Sequence, residues 1–341
     1  MKNSYSFDDV LLIPNYSDIE SRQEVDLNSP LDDNIILGLP VLSSPMDTVT
    51  ETAMAIALDN AGGLGVIHRY NSISEQAALV NKCYYSGSRN VAAAVGMTGD
   101  YIERATEIIR SGANILCVDV AHGHHKMMRE CLRKLKYNFS DIHIIAGNVA
   151  TLQAFNDLAS WGADSIRVGI GGGSICSTRL VTGHGIPTLQ SVLECARTSY
   201  DVKIIADGGI KTTGDMVKAY AAGADFVMIG SMLAGTAETP GEVFFGKEGK
   251  KYKVYRGMAS ANAQNAWRGK TSAPEGVSTT VPFRGSAGAI IENIVGGLRS
   301  GMSYSGARSL AELRSKASFT LQTGAGRLES STHILTRGDS Q

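Results

Sequence analysis

The sequence predicts an α/β chain closed into a TIM (β/α)8 barrel. Three observations carry that prediction: eight short apolar runs recur along the 341 residues, the segments between them show helical spacing, and no GxGxxG opens a helix after the first run. The last observation removes the main support for an open dinucleotide-binding sheet.

The runs cover residues 40–47, 63–69, 90–96, 115–123, 143–151, 165–173, 203–209 and 225–231. Continuous apolar character without alternation is the mark of a strand buried on both faces of a parallel sheet. Segments 48–62, 100–113, 151–163 and 212–224 place apolar residues at helical spacing and end in Gly or Gly-Ala, a common helix stop. Thr151 and Thr213 are the expected N-caps. Residues 246–285 break the rhythm, being polar and rich in Gly, Ala, Ser and Thr. They are expected to form a mobile flap over the barrel mouth, followed by a helical C-terminal extension. The whole chain, 1–341, reads as one barrel domain.

Composition narrows the partners. A hydrophobic fraction of 43%, a charged fraction of 19% and a net charge of −1 describe an ordinary globular protein. Basic residues are scattered, so no nucleic-acid face is expected. No run approaches about 18 apolar residues and the N-terminus has no apolar leader core, so neither a membrane nor secretion is expected. Five cysteines, an odd number without a CxxC pair, point to reduced thiols and a cytoplasmic location.

In such a barrel the strand C-termini share one rim, where active sites lie. Read off the runs, that rim gathers Asp47, His68, Asp119, His122, Asn148, Cys176, Asp207 and Ser231. The loop GIGGGSICSTR, residues 169–179, concentrates the chemistry. Its glycines can aim several amides at an anion or several carbonyls at a cation. Cys176 sits there on a polar loop, whereas Cys83, Cys117, Cys131 and Cys195 lie inside strand or helix patterns and read as core. ADGGI (206–210) and IGSML (229–233) follow the last two strands, where barrels often bind phosphate. Asp207 suits ribose hydroxyls and Tyr255 a phosphate. AHGHH (121–125) clusters His122, His124 and His125 without firm metal-ligand spacing, and His68 reads equally as a packed rim residue.

PMDTVTE, AGNVAT, GIGGGSICSTR, IADGGI, MIGSMLAGT and YRGM, followed by GGLRSGMSYSGA, resemble the IMP dehydrogenase and GMP reductase family in the right order. The likeness runs from Ser6 to about His333, with Gly172 replacing a more usual proline or serine. It implies that Cys176 bonds to purine C2, and that Thr178 and Glu275 serve catalysis. Ser174, Asp207, Gly209, Gly230, Ser231, Tyr255, Gly257 and Met258 would hold the nucleotide, with Glu275 also at the base edge. Asp119, Val120, Ala121 and Asn148 would face the nicotinamide cofactor. Carbonyls of Gly171, Gly173 and Cys176 would resemble a potassium site, and a homotetramer is implied.

Within that family the short flap between Met258 and Glu275 favours a GMP reductase using NADPH. The flap holds no Arg-Tyr pair of the kind dehydrogenases use for hydrolysis; the nearest dipeptide is Trp267-Arg268. Val120 stands where dehydrogenases usually place Ser or Thr, and no room for CBS modules exists between Cys83 and Val91. The tail TGAGRLESSTH leans the other way, toward the dehydrogenase end. The alternatives are an IMP dehydrogenase lacking CBS domains and using NAD, and a non-catalytic nucleotide-binding subunit.

Overall fold

A computed structural model describes residues 3–246 and 249–330. Eight parallel strands close a barrel: β1 (Val41–Ser43), β2 (Leu64–Ile67), β3 (Ala92–Val95), β4 (Ile115–Asp119), β5 (His143–Val149), β6 (Ser165–Val168), β7 (Lys203–Asp207) and β8 (Phe226–Ile229). They pair in sequence order, and β8 returns to β1 through Val227–Val41 and Met228–Leu42. Each apolar run contains one strand, and the remainder of the run forms its loop at the rim.

Both strand faces are buried, but in different layers. Leu42, Leu64, Val66, Ala92, Ala94, Ile115, Cys117, Ile145, Ile205, Phe226 and Met228 fill the barrel interior. Their neighbours, among them Val41, Ile67, Ala93, Leu116, Val118, Ile144, Ile166 and Val227, pack against the outer helices. The period of two is thus present in space and invisible in hydropathy.

The outer ring includes α1 (Thr52–Asn60), α2 (Ile73–Tyr85), α3 (Tyr101–Arg110), α4 (Lys126–Asn138), α5 (Leu152–Ser160), α7 (Thr188–Cys195) and α8 (Thr213–Ala221), while the short α6 (Thr178–Thr182), with no buried residue, belongs to the loop after β6. The stop glycines Gly62, Gly112, Gly162 and Gly223 all take positive φ, which a side chain would resist. Thr151 caps α5 by accepting from the Ala154 amide at 3.2 Å. The cap of α8 is Thr212, not the expected Thr213. Thr212 is extended and closes a reciprocal box with Asp215, while Thr213 is already the first helical residue. Among the described residues no helix is long and apolar enough to cross a membrane.

The flap segment carries regular structure. Strands β9 (Phe244–Phe245), β10 (Lys251–Arg256) and β11 (Ser278–Pro282) form an antiparallel sheet, and α9 (Ala261–Arg268) lies between the last two. Lys253, only 2% exposed, anchors this sheet by donating to the carbonyls of Thr236 and Thr239. The expected helical section follows as α10 (Ala287–Tyr304). The tail is described as far as Ser330; it pairs Phe319–Leu321 with Val10–Leu12 and then forms a helix at Gly324–Glu329. Residues 331–333 of its motif lie outside the described residues.

A hairpin, Ser29–Pro30 with Ile36–Leu37, plugs the N-terminal end and adds Leu31, Ile35 and Leu37 to the interior cluster. Asp32 in its turn meets His143 Nδ1 at 2.7 Å, and His143 Nε2 meets Ser165 Oγ at 2.7 Å. The order Asp–His–Ser is that of a hydrolase triad, yet Ser165 is fully buried and out of reach of any substrate. The three residues act as a polar pin. Burial holds His143 below the usual imidazole range, against the opposing pull of Asp164 and Asp32.

The native state therefore prefers neutral His143, so this contribution is present above the unfolded imidazole pKa and is lost as pH falls through the depressed folded value. Denaturant midpoints measured between about pH 8 and pH 5 should fall with acid. A His143→Gln variant should lose about 1–3 kcal/mol at the alkaline end and show a shallower acid slope. An unchanged slope would assign the acid sensitivity elsewhere.

Candidate active site

The reactive loop begins where β6 ends. Gly169 has φ +148°, and a Cβ there would stand 1.9 Å from the Asp207 carbonyl oxygen, so only glycine lets the loop leave the barrel beside β7. Downstream, the loop pairs with the flap: the Ser177 amide donates to Glu275 O at 3.0 Å and the Val277 amide to Ile175 O at 3.0 Å. That pairing sets the side chains. Cys176 Sγ lies 3.2 Å from Thr178 Oγ1 as donor, and Thr178 Oγ1 donates to Glu275 Oε2 at 2.8 Å.

Cys176 is the partly exposed thiol; the other four are buried. Burial pushes the Cys83 thiol up to about 11 and those of Cys117, Cys131 and Cys195 up to about 12, leaving them inert near neutrality.

All residues predicted for catalysis, nucleotide, cofactor and cation line one cleft of about 350 Å³. Gly208 and Gly209 turn the backbone after Asp207 with φ of +90° and +77°. Tyr255, on β10, points its hydroxyl to within 3.2 Å of where a Cβ on Gly230 would stand, so that glycine makes room for it. Burial raises the Tyr255 pKa, against the effect of its hydrogen bond with Ser174, so the phenol remains a donor. Met258 approaches the Asp47 amide through sulfur at 3.4 Å, and the Gly257 amide donates to Val277 O at 3.0 Å.

On the opposite wall, Asn148 Nδ2 donates to Gly169 O and Asp207 Oδ2, both at 2.8 Å. A register irregularity between Gly147 and Val149 turns this side chain toward the cleft. Its Oδ1 is buried without a partner. The Val120 amide donates to Gly147 O at 3.1 Å, and Val120 O accepts from the Asn148 amide at 2.8 Å.

Three of the rim residues lie apart. Asp47 is ion-paired with Arg256, and His68, 3% exposed, is held between Glu51 and the Tyr70 amide. Both, with His122, line a second, larger cavity beside the first. The two cavities share Arg69, Tyr70, Val120, Ala121, Trp267 and Arg268. Trp267 meets Tyr70 edge-on at 5.2 Å, and the Arg268 guanidinium lies 4.2 Å from the indole centroid. In the histidine cluster, His124 binds Asp157 at 2.7 Å and His125 caps α4, so these two side chains have separate partners.

Sequence reasoning missed Arg167. It stands in β6 with its side chain 7% exposed, donating to Asp119 at 2.5 Å and to Asp207 at 2.8 Å. The available signal was a charge inside an otherwise apolar barrel strand. Also missed were Ser44, Met46, Gln264 and Trp267 on the cleft wall.

The IMP dehydrogenase / GMP reductase domain model matches residues 4–333. An inosine-5′-monophosphate dehydrogenase of Borreliella burgdorferi is 37% identical, over 97% of each chain. A GMP reductase of Leishmania donovani is 33% identical, also over 97% of each. That alignment runs over 478 residues against the 341 here, so a longer chain does not mark the dehydrogenase. Among solved structures, a Cys-to-Ala variant of Trypanosoma brucei GMP reductase in complex with guanosine 5′-monophosphate superposes with a TM-score of 0.92, at 32% identity over 98% of both chains. The chain belongs to the IMP dehydrogenase / GMP reductase family, oxidoreductases that act on purine mononucleotides with a nicotinamide cofactor.

Proposed function

We propose that the protein is a GMP reductase, converting GMP to IMP and ammonia at the expense of NADPH. The observation that carries this reading is the hydrogen-bond chain Cys176–Thr178–Glu275. Its donors run from sulfur to hydroxyl to carboxylate, the direction in which a proton leaves the thiol. On attack at purine C2, Cys176 forms the C–S bond while its proton passes through Thr178 to Glu275. When the C–N bond breaks, the same proton returns through Thr178 to the departing amine. Asp207 accepts from ribose hydroxyls, and Ser174, Gly209, Gly230, Ser231 and Tyr255 surround the phosphate. Met258, Gly257 and Glu275 face the base.

The cofactor, when bound, supplies the hydride that releases IMP. Asn148 Oδ1, buried and unpartnered, suits the amide protons of a nicotinamide carboxamide. Asp119, Val120 and Ala121 lie beside it, and the adjoining cavity gives the remainder of the dinucleotide room. Main-chain carbonyls of Gly171, Gly173 and Cys176 are the donor class a potassium ion takes. However, Gly173 O already accepts from the Cys176 amide at 3.1 Å, and the Arg179 side chain packs over Gly171. A cytoplasmic homotetramer belongs to the same proposal.

The second reading, an IMP dehydrogenase using NAD, is favoured by one observation: Arg69 and Arg268 both line the nucleotide cleft, so guanidinium groups are at hand for a hydrolytic water. Following NADPH consumption with GMP against NADH production from IMP separates the two. We expect the first; turnover only in the second assay would replace the assignment, and nucleotide binding without either turnover would favour a non-catalytic subunit.

Cys176→Ala should abolish turnover while leaving nucleotide affinity within about tenfold, since the thiol contributes chemistry more than binding. A substantial residual rate would remove the covalent step. Glu275→Gln should slow ammonia release by about 10²–10⁴-fold and hydride transfer to a pre-formed adduct much less. Equal damage to both steps would count against the relay.

A further inference from the structure

The upper layer of the barrel interior is polar, and one guanidinium crosses it. Arg167 follows Ser165 on the inward face of β6, just as Asp119 follows Cys117 on β4 and Asp207 follows Ile205 on β7. Gly147 pairs with both Asp119 and Arg167 across adjacent strands. A Cβ on Gly147 would stand 2.5 Å from the Arg167 Cβ, so the missing side chain opens the passage the guanidinium uses. Arg167 Nη1 donates to Asp119 Oδ1, and Nη2 and Nε donate to Asp207 Oδ2 at 2.8 and 3.2 Å.

The ladder continues outward. Asp119 also accepts from the Tyr70 hydroxyl at 3.4 Å and faces Arg69 Nε at 3.9 Å, while Asp207 also accepts from Asn148. Positive and negative charges therefore alternate, Arg69–Asp119–Arg167–Asp207, from the junction of the two cavities to the nucleotide side of the cleft. Only a planar fork with donors on several edges can serve both carboxylates at once; an ammonium reaches one.

We propose that Arg167 is a positioning residue that couples the nucleotide and cofactor halves of the site. The inference rests on the reading that Asp207 holds the ribose and Asp119 borders the cofactor. A ribose hydroxyl donating to Asp207 redistributes the hydrogen bonds of the shared carboxylate. The guanidinium answers by shifting its hold on Asp119, so each ligand alters the affinity for the other by the same factor. Arg167, its side chain 7% exposed at the floor of the cleft, acts through the two carboxylates it holds.

The test uses the full chain with Cys176→Ala, in which no adduct forms and both ligands bind at equilibrium. Calorimetry gives the dissociation constant of GMP with and without saturating NADPH, and that of NADPH with and without GMP. We expect each ligand to change the other's affinity by about tenfold, with equal factors in the two directions. Adding Arg167→Lys should bring the factor close to one while GMP alone binds within about tenfold of the parent. Should that variant not fold, Asp119→Asn, which keeps the shape and removes the far carboxylate charge, should give the same loss.

An unchanged factor in a folded Arg167→Lys or Asp119→Asn protein would overturn the coupling, as would a parent factor of one. A parent that binds neither GMP nor IMP would instead overturn the assignment of Asp207 to the ribose, and the coupling with it. A merely structural arginine would weaken both ligands alike and leave the factor where it was.

Discussion

Two main-chain hydrogen bonds hold the site together. They join Ile175 and Ser177 of the reactive loop to Glu275 and Val277 of the flap. Thr178 and Glu275 are 97 residues apart, and a contact between side chains alone would have to offset the entropy of closing that loop. Backbone pairing, together with the barrel between the two segments, shares that cost. The Gly257 amide continues the pairing by donating to Val277 O, so YRGM, the loop and the Glu275 segment form one small unit over the barrel. Lys253 ties that unit to the turn after β8, and Arg256 ties it to Asp47 after β1. Cys176 is consequently positioned from both sides of the rim.

Below that unit the barrel separates its roles by height. The middle of the interior is apolar, the bottom is sealed by the hairpin and the Asp32–His143–Ser165 pin, and the top is charged. Burying Arg167 is tolerable because both neighbouring carboxylates meet it with hydrogen bonds; removing either would strand a charge. The same alternation that sends Leu116 and Val118 to the helices sends Cys117 and Asp119 inward. Chemistry thus occupies the last inward position of β4, β6 and β7, where the packed core ends and solvent begins.

The strands could be read from the sequence because doubly buried segments are mostly apolar, their few polar residues being strand-end groups or, like Ser165 and Arg167, held by partners. Helix ends were readable because a chain turning back from helix to strand needs positive φ, and glycine supplies it at Gly62, Gly112, Gly162 and Gly223. Thr212 and Thr213 are adjacent and chemically identical, so only backbone geometry selects the cap. The flap sheet was hidden for another reason: Lys251–Arg256 buries a lysine where an apolar residue would mark a strand, Ser278–Pro282 is largely exposed, and a helix separates them, so no local pattern announces their pairing. For the site, glycine-rich loops pointed to Cys176 and Asp207 directly. Arg167 was passed over because its meaning lies in two partners, one 48 and the other 40 residues away. Asp47, His68 and His122 sit on the same rim yet line the second cavity, Asp47 being paired with Arg256 and His68 held between Glu51 and the Tyr70 amide.

Overall similarity does not divide the two activities of this family, since relatives carrying either name share about a third of their residues with this chain. The division lies in what must reach the sulfur-bound purine. Hydrolysis needs a water and a base to activate it, whereas ammonia release needs only a proton delivered along a path already made. Arg69 and Arg268 line the cleft, but a guanidinium offers only N–H donors and no acceptor, so it can orient a water without taking its proton. Both are packed against aromatic rings, Arg69 over Tyr70 at 5.0 Å and Arg268 over Trp267. The Thr178–Glu275 pair differs, because the hydrogen-bond chain from Cys176 through Thr178 ends on a carboxylate, which can accept a proton. In the proposed reaction, that chain is the path by which the departing amine receives its proton.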